Sequence, residues 1–316
     1  MDVITLGESM VLFTPDSMGL MRHSSSFTRK VAGAESNVAI GLSRLGHQVG
    51  WISKVGKDEF GKTILSFIRG EGVDTSHVIE DETRPTGVFF KELTSAHNVQ
   101  IYYYRNHSAA SYMKPEELNE EYIGNSKFLH ITGITPALST DCYSTVMTAI
   151  EIAKSRGVKV SFDPNIRKKL WSDKKAKETL LEIACKSDIV MPSVSEAQFL
   201  LETNDIQKQG DSLLNKGPSI VIIKNSSKGT YYFTNTEKGF TQNFSVEEVD
   251  PVGAGDAFAA GFLSGLLNKF SIKKAVERGN AMGALAVTVS GDVEGLPEEE
   301  QLNYFISNSN KDDIIR

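Results

Sequence analysis

The residues best suited to chemistry lie late in the chain, in Asp250-Pro251-Val252-Gly253-Ala254-Gly255-Asp256-Ala257-Phe258-Ala259-Ala260-Gly261. Small residues open a predicted helix there, and its only early charge is Asp256. Gly253 and Gly255 let the backbone approach a ligand closely, and the free N–H groups at a helix N-terminus, with the dipole behind them, attract anions. A carboxylate beside such an anion hole can accept a hydroxyl proton while the hole stabilises charge on a phosphoryl group in transfer. An Asp in the first helical turn is also favourable on dipole grounds alone. The stretch is neither a Gly-x-x-x-x-Gly-Lys-Ser/Thr phosphate loop nor a Gly-x-Gly-x-x-Gly dinucleotide fingerprint.

Three further polar clusters follow short apolar runs: Asp163-Pro164-Asn165-Ile166-Arg167 after 158–162, Ser193 and Glu196 after 188–191, and Lys224-Asn225-Ser226 after 220–223. In an open α/β sheet, ligands bind beyond the carboxyl ends of the strands. The clusters are therefore expected to converge on one crevice, although each alone would also pass for loop residues and helix caps.

The elements that must hold them read as alternating strands and helices. Continuous apolar runs at 3–6, 47–55, 128–132, 158–163, 188–191 and 220–224 predict buried strands. Helical spacing predicts helices over 38–45, stopped by Gly46, and over 58–69, 139–156, 174–185, 254–268, 271–290 and 298–307. Such alternation implies a mostly parallel sheet covered on both faces, a three-layer α/β/α core. Two segments fall outside it. Residues 9–31 break into short runs at Pro15, Gly19 and Ser24-Ser25-Ser26, and 86–93 with 99–105 form a hairpin around Thr94-Ser95-Ala96-His97-Asn98. About 9–32 and 86–106 are expected to join as a small β-sheet lid, which leaves 1–316 as one domain where length alone allows two. Residues 229–250 form another β-rich stretch, and the last several polar residues read as a tail.

Composition narrows the function classes. The chain has 316 residues, and 34 basic against 40 acidic side chains give a net charge of −6 without a long run of one sign. That argues against a general nucleic-acid or membrane-surface binder, which needs a basic face. Cys142 and Cys185 are far apart, so neither a disulfide framework nor a thiolate zinc site is expected. No basic leader followed by an apolar stretch opens the chain and no apolar run approaches about 18 residues, so a cytoplasmic protein is expected.

The stretch from Asp250 to Asp256 resembles the C-terminal signature of the PfkB, or ribokinase-like, family of carbohydrate kinases. Gly33-Ala34-Glu35-Ser36-Asn37-Val38-Ala39 resembles that family's N-terminal sugar-binding signature. The resemblance spans nearly the whole chain. It implies a ribokinase-like fold, with Asp256 as the base that activates the sugar hydroxyl and Gly253, Ala254 and Gly255 as anion-hole amides. ATP is the implied donor, with Mg2+. Glu196 matches the acidic end of an Asn-x-x-Glu motif that helps organise magnesium and phosphate, an indirect metal role; Ser193 stands where that motif has Asn. Asn165, Ser193, Lys224, Ser226, Gly229 and Asn280 match positions lining the nucleotide pocket. Small residues around Asn280 suit either a close adenine or a neighbouring helix. The sequence is silent on whether a monovalent cation such as K+ is also required.

Strand alternation puts Tyr103 and Arg105 on one hairpin face and Tyr102 and Tyr104 on the other. Because a guanidinium matches a carboxylate with two parallel hydrogen bonds, Arg105 and Arg167 suit an acidic sugar. The Tyr-Tyr-Arg run, the 33–39 opening, the 163–167 loop and Gly291-Asp292 resemble the members acting on 2-keto-3-deoxygluconate. That likeness implies that Gly33, Ala34, Asn37, Tyr103, Arg105, Arg167 and Asp292 hold the sugar acid, with its 6-hydroxyl beside Asp256. Phe89 stands where some similar kinases carry Tyr. The alternatives are a fructokinase, a ribokinase, a 5-keto-2-deoxygluconokinase, or a non-catalytic nucleotide or sugar sensor, against which Asp256 and the intact Gly-Ala-Gly segment speak. Similar kinases often dimerise through their lids, so a homo-oligomer is expected.

Overall fold

The structure, a computed structural model, describes residues 1–95 and 98–309. Ala96 and His97 of the expected hairpin turn, and the tail from 310, lie outside the described residues. β1 (Val3–Leu6) is buried at every position because both its faces are covered: Val3 packs into one helix layer, Ile4 and Leu6 into the other. β2 (Met10–Pro15), β3 (Phe27–Ala32), α1 (Ala34–Arg44), β4 (Val49–Gly56), α2 (Glu59–Gly70), β5 (Val78–Asp81), β6 (Val88–Ser95) and β7 (Asn98–Tyr104) follow. Then come α3 (Glu120–Gly124), β8 (Phe128–Thr132), α4 (Thr140–Ser155), β9 (Lys159–Asp163), α5 (Asp173–Lys186) and β10 (Ile189–Val190). The chain continues with α6 (Val194–Leu201), α7 (Ile206–Leu214), β11 (Ile220–Lys224), β12 (Thr230–Thr234), β13 (Lys238–Thr241), α8 (Ala254–Leu267), α9 (Ile272–Ala286) and α10 (Glu299–Ser309).

Among the described residues the main sheet has nine strands in the order β13-β12-β11-β10-β9-β8-β1-β4-β5, parallel except where β12 and β13 add an antiparallel edge. Helices α1, α2, α8 and α9 cover one face, and α4 and α5 the other. A separate four-stranded sheet, β3-β2-β6-β7, is built from the two N-terminal segments expected to leave the core. The main sheet sends β8, β9, β10 and β11 in parallel toward one edge, so their following loops emerge together.

Two differences from the periodicity have local causes. The last long helical pattern stops at Ala286 rather than 290, because the carbonyl of Val287 accepts from the amides of Val249 and Asp250 at 2.8 and 3.1 Å. That crossing ties the approach to α8 to the segment carrying Asp292. Helices α6 and α7 were not expected. The Ser193-x-x-Glu196 spacing that starts α6 is itself a capping-box signal, and Asp205 caps α7.

Candidate active site

The loops after β9, β10 and β11 do meet. Lys224, the last residue of β11, places Nζ 2.5 Å from Oδ2 of Asp163, the last residue of β9. Glu196 bridges the other two: its Oε1 accepts from the Ile166 amide at 2.9 Å and its Oε2 from the Ser193 amide at 2.8 Å. Ser193 caps α6, a task its hydroxyl performs as an Asn side chain would. Burial works against the Lys224 ammonium, but Asp163 and Glu196 more than offset it and hold Lys224 above the ordinary lysine range. Asn165, just beyond Asp163, is in the left-handed region at φ 36°, as is Ser226, just beyond Lys224, at φ 46°. These loops spend backbone strain on their geometry.

Gly253 caps α8 with φ 79°, and a Cβ there would lie 2.7 Å from the Asp292 carbonyl, so conformation and space both select glycine. The first-turn N–H groups that follow have no intrahelical acceptor. A Cβ on Gly255 would point toward Lys224 and Asp163, 3.6 and 4.0 Å away, which sets the start of α8 against the strand-end cluster. Asp256 lies in this first turn. Asn37 of α1 donates through Nδ2 to Oδ2 of Asp256 at 2.8 Å and to Oδ2 of Asp292 at 3.3 Å. Asp256 is half-buried and closely ringed by protein. Burial, with repulsion from Asp163 and Asp292, pushes its carboxyl up to about 7, against the Asn37 hydrogen bond and the attraction of Arg167. Asp292 is raised to about 6, again chiefly by burial.

Among the residues expected to hold the sugar, Gly33 opens α1 against Ser9 and the Glu8 carbonyl, Ala34 follows it in the first turn, and the Gly33 carbonyl accepts from the Asn37 amide at 2.7 Å. Phe89 and Tyr103 stack with ring centroids 5.5 Å apart, and the Arg105 guanidinium lies over the Tyr103 ring, so these three share a face as the alternation predicts. Arg105 differs from expectation in one respect. It is buried and ion-paired with Glu8, whose other oxygen accepts from the Ser108 hydroxyl, so its charge is already answered within the protein. Its Nε has no hydrogen-bond partner among the described residues. Arg167, by contrast, is exposed.

The positions expected to line a nucleotide pocket also make contacts within the protein. The Asn280 amide is committed to the protein: its oxygen accepts from the Thr230 hydroxyl at 2.7 Å and its nitrogen donates to the carbonyls of Thr241 and Gln242. It braces β12 and β13 against α9. The small residues beside it serve helix packing, since a Cβ on Gly279 would strike the Phe258 ring of α8 at 2.8 Å. Gly229 closes the turn that begins at Ser226, with its carbonyl accepting from the Asn225 amide. Two open surface depressions, one beside Lys174 and Phe199 and one beside Lys62 and Phe67, include none of these residues. Sequence reasoning missed the acids and cations that pair across the site, Glu8 with Arg105 and Lys91 with Asp250. Lys91, directly after the apolar run Val88-Phe89-Phe90, was the available signal.

A description of the pfkB family of carbohydrate kinases matches residues 2–299. The chain belongs to the PfkB family of carbohydrate kinases. The 2-dehydro-3-deoxygluconokinase of Bacillus subtilis (strain 168) is 41% identical to this kinase over 310 residues, 97% of this chain and 96% of that protein. Probable fructokinase-3 of Arabidopsis thaliana is 32% identical, over 98% of this chain and 92% of its own. An Escherichia coli protein described as a ribokinase II, solved in complex with ATP and Mg2+, superposes with a TM-score of 0.90 at 28% identity, over 97% of this chain and 99% of that one. The fold of the kinase is ribokinase-like, and no described helix is long and apolar enough to cross a membrane.

Proposed function

We propose that this kinase transfers the γ-phosphoryl group of ATP to the 6-hydroxyl of 2-keto-3-deoxygluconate, in the cytoplasm. The observation that carries the reading is Asp256 at the start of α8, oriented by Asn37 and pushed up to about 7. A base tuned near the working pH is substantially ionised and still accepts a proton readily. Its carboxylate takes the hydroxyl proton as the new O–P bond forms and ADP departs. The amides of Gly253, Ala254 and Gly255, with the α8 dipole, face the transferring oxygens. Lys224 and the strained loops at Asn165 and Ser226 are suited to the nucleotide phosphates.

Glu196 gives both oxygens to protein donors, and no group of three or more His, Cys, Asp or Glu side chains among the described residues is placed to hold a metal ion. This donor set suits magnesium carried on the phosphates and completed by water, with Glu196 acting through the groups it orders. When bound, the metal would neutralise charge on the phosphates.

An acid substrate is favoured by the exposed Arg167, whose charge already acts on Asp256. Fructose is the second reading, favoured by the internal Arg105–Glu8 pair, which leaves one guanidinium fewer for a carboxylate. An ADP-release assay across both sugar types decides between them. The small sheet is proposed as a lid and as the self-association surface, because its edge strand β7 exposes Val99, Tyr102 and Tyr104.

A further inference from the structure

Lys91 sits in the middle of β6, a central strand of the small sheet, and its ammonium reaches Oδ2 of Asp250 at 2.6 Å across 159 residues of sequence. Both residues are buried. The other oxygen, Oδ1, accepts from the Val252 amide at 3.3 Å, and the Asp250 amide donates to the Val287 carbonyl at 3.1 Å. Val252 immediately precedes Gly253, where the chain enters the left-handed region and opens α8. Lys91 thus holds the carboxylate that shapes the turn feeding the anion-hole amides. Its charge also acts on Asp292, which shares the Asn37 amide with Asp256. The neighbouring link, from Lys30 of β3, reaches the Ser290 carbonyl at 2.7 Å and Glu294 at 3.1 Å, is only partly buried, and makes no contact with the turn that opens α8.

A buried ion pair is weak support for stability, because desolvating two charges offsets most of their attraction. The cost is repaid if the pair fixes a geometry that the reaction uses. We propose that Lys91 is a positioning residue for phosphoryl transfer: through Asp250 it holds the turn that presents the amides of Gly253 to Gly255, so the seated small sheet is a condition for an ordered anion hole. The inference rests on the reading of those amides as the phosphoryl cradle.

The test compares wild type, Lys91→Met, Lys91→Arg and the double variant Lys91→Met/Asp250→Asn by steady-state ADP release, with thermal melts alongside. Whichever sugar the wild type turns over fastest serves as substrate, so an error in the substrate assignment leaves the comparison intact. Lys91→Met is expected to lower kcat on the order of 100-fold, the size of losing one aligned donor, with the sugar KM within about threefold; Lys91→Arg should recover most of it. The double variant removes both charges, so it should regain the melting temperature that Lys91→Met loses while kcat stays low. Wild-type-like kcat in Lys91→Met, or recovery of kcat together with stability in the double variant, would overturn the proposal.

Discussion

Replacing Asp256 by Asn should separate catalysis from stability, because the same burial that tunes the base also costs the folded state. Asn keeps the shape and still accepts the hydrogen bond from Asn37, but it cannot take a proton. Loss of a positioned general base removes roughly 10²–10⁴ of turnover, or about 3–5 kcal/mol of barrier. The stability change has the opposite sign. The Asp256 carboxyl is raised from 3.8 to about 7 on folding. The folded protein therefore binds this proton more tightly than the unfolded chain, and ionisation destabilises the fold progressively as pH rises from about 4 to 7. Three units at about 1.4 kcal/mol each set an upper bound near 4 kcal/mol, and solvent contact at the crevice reduces the expected gain to about 2 kcal/mol. Asp256→Asn should therefore melt several degrees higher than wild type at pH 8 and converge with it near pH 4. Melts across that range, with ADP release at pH 8, make the comparison. Turnover within tenfold of wild type, or no stabilisation at pH 8, refutes the assignment of Asp256 as a desolvated base.

The same carboxyl predicts a pH profile: kcat/KM for the sugar should climb with unit slope below about 7 and level above it, and a flat profile between pH 5.5 and 8.5 counts against this. Arg167→Ala should raise KM for the sugar acid by roughly tenfold or more while leaving a neutral sugar within twofold; equal effects on both would remove Arg167 from carboxylate recognition. If β7 pairs copies of the chain, light scattering should find a dimer or larger assembly that Tyr104→Arg dissociates, and a monomeric wild type would contradict that.

Much of this was legible in the sequence because the signals are local. The apolar runs at 3–6, 128–132 and 220–224 lie at the strands they predict, and the glycines at 253 and 255 mark a helix start that needs open backbone. What was hidden depends on residues far apart in the chain. Glu8 and Arg105 are separated by 97 positions and Lys91 and Asp250 by 159, and no periodicity in one segment reports a charge waiting in another. Arg105 accordingly read as free for a ligand. Asn280 shows the same limit: its surroundings of small residues fit a nucleotide wall or a helix contact equally well, and the helix contact, Gly279 against Phe258, comes from a residue of a different element. The short α6 and α7 were obscured for another reason, since eight or nine residues hold too few turns for a clear period and their caps carry the signal.

The substrate assignment is tested most directly by ADP release with ATP and Mg2+ against 2-keto-3-deoxygluconate, fructose, ribose and 5-keto-2-deoxygluconate under one set of conditions. The highest kcat/KM is expected for 2-keto-3-deoxygluconate, and a higher value for fructose or ribose would contradict the acid-sugar reading while leaving a carbohydrate kinase in place.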